Sequence, residues 1–266
     1  MTPRISAMPN FRDAGGHRTA DGGRVRTRLL YRSDQINGLT GDDLGALSGL
    51  GLRFVYDLRT AAERDHEPGE RIPGATHVSL DVMADDRKSA PSQLLRLLGN
   101  PDAAGELLGE GRAVTMFIES YRSLVRLGSA RAAFGRLYAG LADAGSLPAL
   151  LHCTTGKDRT GWACAALMRL LGVPYDVVLR DFLASNEFIL PKYRPHLEAF
   201  AARGGEPGLL APVLSVREEY LAASLEEVRL EFGSMERYFS AGLGIGEDTQ
   251  RALRDRFVAP PQRHAS

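Results

Sequence analysis

His152-Cys153-Thr154-Thr155-Gly156-Lys157-Asp158-Arg159-Thr160-Gly161 is the stretch that decides the fold and the chemistry of this chain. Residues 147–151 before it are short and apolar, as expected of a buried strand. Residues 162–171 after it are rich in helix formers. A strand, a tight loop and a helix in this order point backbone N–H groups and a positive helix end at an anion.

Cys153 and Arg159 lie six positions apart across that loop. An anion-binding loop stabilises a thiolate, so we expect Cys153 to be a nucleophile near neutral pH. The planar fork of Arg159 is suited to grip two oxygens of a phosphate. Together they predict phosphoryl transfer through a cysteinyl-phosphate intermediate. We expect the N–H groups of Thr154, Thr155 and the residues up to Arg159 to bind the phosphate, and Gly156 to permit the tight path.

The loop resembles the His-Cys-x5-Arg-Ser/Thr signature of the cysteine-dependent protein tyrosine phosphatases. It is most similar to their PtpB-like bacterial family, which acts on phosphotyrosine, phosphoserine/threonine and phosphoinositides. The resemblance extends over nearly the whole chain and is weakest at residues 84–112. Further similar segments are NFRD-x-GG at 10–16, YRSD at 31–34, VYDLR at 55–59, DFLASN at 181–186 and the stretch 233–244.

The resemblance implies roles for several further residues. Thr160 is similar to the hydroxyl residue that assists the departing thiolate. Lys157 either contacts a second phosphate or carboxylate of the substrate or is simply solvated. Arg59 and Arg12 are weaker candidates for the same substrate contact.

Phosphate transfer also needs an acid that protonates the leaving oxygen. Asp57 lies at a predicted strand end, where sheet enzymes place their chemistry, and the similar DLR segment of the bacterial family carries an active-site aspartate. Asp158 lies inside the loop, where it either supplies the proton or forms an internal salt bridge. Asp57 is narrowly the first choice, and both stay open. His152 should be structural, since neighbours on a strand point to opposite faces.

Composition limits the other function classes. Thirty-three basic residues balance thirty-three acidic ones, so we expect no nucleic-acid partner. Two cysteines make no disulfide framework, and the histidines show no metal-ligand spacing, so no metal or cofactor is expected. We expect no stable membrane insertion, because the chain shows neither a signal peptide nor an apolar run of about 20 residues. The cytoplasm is the expected compartment, with secretion by a non-standard route left open.

Strands that alternate with helices predict an α/β fold of tyrosine-phosphatase type: a central, mostly parallel sheet with helices on both faces. Strands are expected at 25–32, 54–58 and 76–80, and Thr40 as a helix N-cap. We expect one phosphatase domain over 1–258 and a flexible tail at 259–266.

Two helical insertions, at 84–112 and 183–220, are candidates for a lid. We expect the second to be broken by its prolines, Pro191 and Pro195 among them. Phe188, Ile189, Leu190 and Tyr193 should face the pocket.

The substrate stays open between a phosphorylated protein, a phosphoinositide and a small phosphomonoester such as a biosynthetic metabolite. A catalytically silent phosphate-binding module is a further alternative, although such modules usually lose the cysteine or the arginine. A rhodanese-like sulfurtransferase usually has a shorter loop, and a cysteine acyl hydrolase would need a partner histidine.

Overall fold

The central sheet places the carboxyl ends of four parallel strands at one edge. The computed structural model describes residues 2–86 and 100–261. Within them five strands pair in the order β1-β3-β6-β4-β5, in which only β1 is antiparallel to its neighbour. The strands of both sheets are β1 Arg12–Asp13, β2 Arg24–Val25, β3 Leu30–Ser33, β4 Phe54–Asp57, β5 Thr76–Ser79, β6 Ala149–His152 and β7 Val258–Ala259.

Helices account for most of the remaining described chain. They are α1 Gly41–Ser48, α2 Ala61–His66, α3 Pro101–Leu108, α4 Arg112–Arg126, α5 Gly128–Ala142, α6 Arg159–Leu170, α7 Tyr175–Leu183, α8 Ser185–Ala202, α9 Ala211–Leu214, α10 Glu218–Phe232, α11 Met235–Arg237 and α12 Glu247–Phe257. A π-helical turn, Tyr238–Gly242, follows α11 directly. Thr40 caps α1 as predicted, through a reciprocal capping box with Asp43.

Both faces of the sheet are covered, because alternate strand residues enter two separate cores. Tyr31, Val55 and Leu150 pack with Leu47 of α1 and with the N-terminal segment. Tyr56 and Leu151 join the larger core on the other face, to which α4, α5, α6 and α12 contribute. The predicted α/β class, with a mostly parallel sheet between helical layers, is confirmed.

The strand predicted over 25–32 is in fact two strands. Arg28 lies between them with a left-handed φ of 63°. Its N–H donates to the Asp13 carboxylate at 2.7 Å, so the turn is fixed by a side chain and not by a strand partner. β2 therefore leaves the central sheet and pairs with β7 in a separate ribbon. Ala259, assigned to the flexible tail by the sequence, is part of that ribbon.

The structure describes the second predicted insertion in full but only part of the first. Residues 87–99 of the first lie outside the described residues, and α3 follows them with Asn100 as N-cap. In the second, α8 runs through Pro191 and Pro195, so the predicted breaks there are wrong. A proline removes one helical donor, and burial of Ser185, Ile189 and Phe200 along α8 offsets that loss. No helix in the described part of the chain is long and apolar enough to cross a membrane.

Candidate active site

The signature loop begins where the parallel strands end. Asp57 and Ser33 are the register partners of His152, so the last residues of β3, β4 and β6 form one row. The loop then returns to α6 through Gly156, which has a φ of 68°. A Cβ atom at this position would lie 2.2 Å from the Ser33 carbonyl oxygen, so only glycine fits.

The loop presents unpaired backbone donors. Counting from Thr154 within the described residues, the first N–H with an acceptor is that of Trp162, which donates to the Asp158 carbonyl at 2.8 Å. Within residues 2–86 and 100–261, no hydrogen bond is donated by the N–H groups of residues 154–161. Cys153 sits at the start of the loop with 1% of its surface exposed. The arrangement is that of an anion site next to a buried thiol.

Arg159 is fixed at its terminal nitrogens and open at its Nε. Nη1 and Nη2 donate to the two oxygens of Glu63 at 2.6 and 2.7 Å. Burial alone would lower the pKa of Arg159, but the Glu63 carboxylate raises it above its ordinary value. Nε is buried without a partner among the described residues, and so is the hydroxyl of Thr160. One edge of the guanidinium therefore remains available to an oxyanion.

Glu63 is the site residue that sequence reasoning missed. It is the third residue of α2 and forms a capping box with Thr60. The same carboxylate accepts a hydrogen bond from the Thr154 hydroxyl at 2.5 Å. Burial would raise the pKa of Glu63, yet Arg159 outweighs burial and holds it far below the usual range. The only local signal was Thr60-x-x-Glu63 behind the DLR segment.

Asp57 is occupied by Arg59. The Arg59 Nε donates to both oxygens of Asp57 at 3.1 Å, and Nη2 adds a bond of 2.9 Å. Burial would raise the pKa of Asp57, but His152 and Arg59 bring it below its ordinary value. Arg59 is 2% exposed and also donates to the Glu67 carbonyl. The two residues form one buried ion pair at the end of β4.

Asp158 and Lys157 form a second ion pair inside the loop. The Lys157 Nζ lies 2.8 Å from the Asp158 carboxylate, which also accepts from the Tyr121 hydroxyl at 2.8 Å. Lys157 is only 2% exposed. Its ammonium lies 5.0 Å from the centre of the Phe117 ring and 3.4 Å from the Ser215 carbonyl. The solvated alternative for Lys157 is therefore wrong.

Arg12 lies behind the loop, in a polar cluster with Asp181. It donates to the Asp181 carboxylate at 3.4 Å and to the Ser185 hydroxyl at 3.1 Å. Burial and the neighbouring Arg32 lower the pKa of Arg12 to about 10. Its guanidinium carbon is 5.8 Å from the centre of the Phe188 ring.

His152 and Cys164 are both buried. Burial lowers the pKa of His152 to about 4, so its ring is neutral at physiological pH. Its Nδ1 lies 3.3 Å from the Cys153 carbonyl. Burial raises the pKa of Cys164 to about 11, as expected of a core thiol. Among the described residues, no group of three His, Cys, Asp or Glu side chains could hold a metal ion.

Helix α8 contacts Asp34, the residue that follows β3. The Lys192 Nζ donates to Asp34 at 2.7 Å. Burial raises the pKa of Tyr193 to about 12, with additions from the negative groups of Asp34, Glu67, Asp158 and Cys153. Ile189 is fully buried, whereas Leu190 is 38% exposed.

Known proteins resemble this chain over almost its full length. The family model described as "Tyrosine phosphatase family" matches residues 3–259. The triple specificity protein phosphatase PtpB of Mycobacterium tuberculosis is 31% identical, over 92% of this chain and 95% of the relative. A Cupriavidus necator protein, provisionally named a tyrosine-protein phosphatase, is 32% identical over 91% of this chain and 84% of its own length. A tyrosine-protein phosphatase of Nostoc commune is 28% identical over 85% and 73%. The chain belongs to the tyrosine phosphatase family and is a cysteine-dependent phosphatase.

Proposed function

We propose that this enzyme hydrolyses phosphomonoesters through a phosphocysteine on Cys153, with phosphotyrosine in proteins as its principal substrate. The observation that carries the proposal is the Arg159 Nε, which is buried at the end of the loop that begins at Cys153 and has no partner within residues 2–86 and 100–261. A phosphate at this place would accept from Nε and from the unpaired N–H groups of the loop. These donors match the three non-bridging oxygens of a phosphoryl group.

In the first step the Cys153 thiolate attacks phosphorus. The P–S bond forms as the bond to the leaving oxygen breaks, and a carboxylic acid gives that oxygen its proton. In the second step the same group, now ionised, takes a proton from water. The water oxygen attacks phosphorus, the P–S bond breaks and the thiolate returns. The Thr160 hydroxyl, buried without a partner among the described residues, is assigned the hydrogen bond to the departing sulfur.

We propose Asp158, rather than Asp57, as the acid. Arg59 engages both oxygens of Asp57, and the lowered pKa of Asp57 keeps it ionised at working pH. An ion-paired carboxylate has no proton to give, so Asp158 can act as the acid only when its pair with Lys157 opens. That pair rests on one ammonium, whereas Arg59 holds Asp57 by three side-chain bonds. Asp158 immediately precedes Arg159, so its position is tied to that of the residue that orients the phosphate. This reverses the narrow preference drawn from the sequence.

Helix α8 is proposed to cover the site as a lid. Lys192 pairs with Asp34, and Tyr193, one residue on, is close enough to the negative groups of the site for them to add to its raised pKa. Cys153 is 1% exposed, and a nucleophile this deeply buried favours an extended side chain such as phosphotyrosine. Lys157, Arg59 and Arg12 each have protein partners, so contacts from them to a second phosphate would require those pairs to open.

The mechanism is tested by trapping the intermediate. Acid quench during turnover of an aryl phosphate, followed by mass spectrometry, should find one phosphoryl group on the peptide that contains Cys153. Cys153→Ser should lose turnover while it still binds tungstate. Ordinary turnover by Cys153→Ser would refute the covalent route.

The substrate is tested by a panel at equal concentrations. It contains phosphotyrosine and phosphoserine peptides, inositol phosphates, phosphoinositide vesicles, sugar phosphates and nucleotides. We expect the highest kcat/KM for the phosphotyrosine peptide, with phosphoserine and phosphoinositide activity below it. A sugar or nucleotide phosphate that exceeds every peptide would instead identify a metabolite phosphatase.

A further inference from the structure

Three successive peptide carbonyls of the signature loop are held from behind. The Thr154 carbonyl accepts from the Gln35 N–H at 3.1 Å. The Thr155 carbonyl accepts from the side-chain amide of Asn10 at 2.9 Å. The Gly156 carbonyl accepts from the Arg32 Nη2 at 2.9 Å. Two of these three donors are side chains from elements far away in the sequence.

Holding a carbonyl also fixes the neighbouring N–H. In a planar trans peptide the C=O and the N–H of the next residue point in opposite directions. Anchoring the carbonyls of residues 154–156 therefore turns the N–H groups of residues 155–157 toward the opposite side. These N–H groups are among those that find no acceptor in the described chain. The anchors thus determine which way the anion-binding donors point.

The two anchoring side chains are themselves rigidly placed. Asn10 and Arg32 are both 0% exposed. The Asn10 side-chain oxygen accepts from Arg12, which leaves its NH₂ group for Thr155. Arg32 is paired with Asp181 at 2.8 Å. Burial would raise the pKa of Asp181, but Arg32 and Arg12 lower it. Asp181 therefore stays ionised at working pH and keeps its pair with Arg32.

We infer that Asn10 and Arg32 are positioning residues, which act on phosphoryl transfer by orienting the loop N–H groups and without touching the substrate. The inference rests on the proposed function, because it assigns those N–H groups to the phosphate. The NFRD segment, through Asn10, and the YRSD segment, through Arg32, then share one function. A buried amide and a buried guanidinium hold one loop in its anion-binding form.

The first test is Asn10→Asp. The variant keeps size and shape but places an oxygen against the Thr155 carbonyl, which repels that carbonyl. We expect tungstate affinity, measured by calorimetry, and kcat each to fall on the order of tenfold to a hundredfold. Alkylation of Cys153 by iodoacetamide at pH 7 should also slow, because the same N–H groups stabilise the thiolate.

Gln250→Glu is the matched control. Gln250 is a buried amide, 3% exposed, that donates to the backbone carbonyls of Glu236 and Ile245 from α12. Its substitution removes the same kind of bond away from the loop. We expect a lower Tm but unchanged tungstate affinity. Equal losses of tungstate affinity in both variants would overturn the inference, because they would reflect general destabilisation.

Arg32→Lys is the second variant. Lysine preserves the charge opposite Asp181 but lacks the second nitrogen that reaches the Gly156 carbonyl. It should reproduce the losses in tungstate affinity and alkylation rate. Wild-type values in a folded Asn10→Asp or Arg32→Lys protein would overturn the inference, as would loss of the fold in both. Because tungstate binding and alkylation do not require turnover, they test the anchors even if the substrate panel finds no activity.

Discussion

Both terminal nitrogens of Arg159 donate to the carboxylate of Glu63, at 2.6 and 2.7 Å, while the Nε of the same guanidinium has no partner among the described residues. A bidentate pair sets both the position and the plane of the guanidinium. The plane matters because only the open edge can then face the phosphate. Glu63 thereby converts a flexible cation into an oriented one.

Glu63→Gln should therefore reduce catalysis without removing any group that touches the substrate. Glutamine offers one acceptor in place of two, so the guanidinium can rotate. We expect kcat/KM to fall by about 10- to 100-fold, the scale of a misplacement of about 1 Å at a reacting centre. Steady-state kinetics on an aryl phosphate would measure the fall.

Glu119→Gln is the control for that charge change. Glu119 pairs with Arg122 and Arg126 on the surface, and its side chain is 54% exposed. Exposed pairs contribute little, so its kinetics should match the wild type. Equal rates in Glu63→Gln and wild type would show that Arg159 is oriented without Glu63.

Arg159→Lys tests the clamp itself. Lysine keeps a positive charge but cannot satisfy Glu63 and the phosphate with one planar group. We expect kcat/KM to fall by about 10²-fold or more. Near-normal kcat/KM for Arg159→Lys would mean that charge alone suffices and that the fork has been misassigned.

The strand, loop and helix of the site could be predicted because their signals are local. An apolar run, a glycine and a run of helix formers determine that geometry within residues 147–171. Glu63 could not be found in this way, since it lies 96 positions from its partner Arg159. Lys157 was equally ambiguous, because its burial depends on Phe117 and Ser215, which only the folded chain brings to it.

Asp57 illustrates a different limit. Its place at a strand end was correctly predicted, and strand ends are where sheet enzymes put their chemistry. The same position lets Arg59, two residues on, fold back onto the carboxylate. Sequence alone treats the two residues as separate candidates, whereas the structure joins them in one ion pair.

The acid can be identified from leaving-group dependence. If Asp158 protonates the leaving oxygen, Asp158→Asn should slow alkyl phosphates far more than activated aryl phosphates, whose leaving groups need little protonation. The difference should be on the order of 10²-fold, within the usual range for acid catalysis. Asp57→Asn should slow both classes of substrate alike. The reverse pattern would restore Asp57 as the acid.

His152 should make stability depend on pH. Its pKa is about 4 in the folded protein, from an ordinary 6.5, because of burial. As pH falls from 6.5 toward 4, His152 therefore binds a proton in the unfolded chain but stays neutral in the native protein. The linked loss of folding free energy is about 3 kcal/mol at its largest.

The measurement is urea unfolding at pH 7.5, 6.0 and 5.0, for wild type and His152→Gln. The variant should be less stable at pH 7.5 but should lose less on acidification. Asp57 and Glu63, whose pKa values are lowered from 3.8 and 4.5, lose their stabilisation mainly below this pH range, so the change between pH 7.5 and 5.0 reports on His152. Parallel curves would contradict the assignment.

Lys192 should hold α8 over the active site. Its ammonium is 2.7 Å from Asp34, a fully buried carboxylate whose pKa is raised by burial despite Lys192. Lys192→Met keeps the apolar stem but removes the charge, so Asp34 loses its cation and α8 should open more often. We expect faster hydrogen exchange along α8 and an increase of about three- to tenfold in the rate at which peroxide inactivates Cys153.

Arg194→Met, an exposed change on the same helix, should leave both rates at wild-type values. If Lys192→Met also matched the wild type in both rates, α8 would be a fixed wall of the pocket and not a lid.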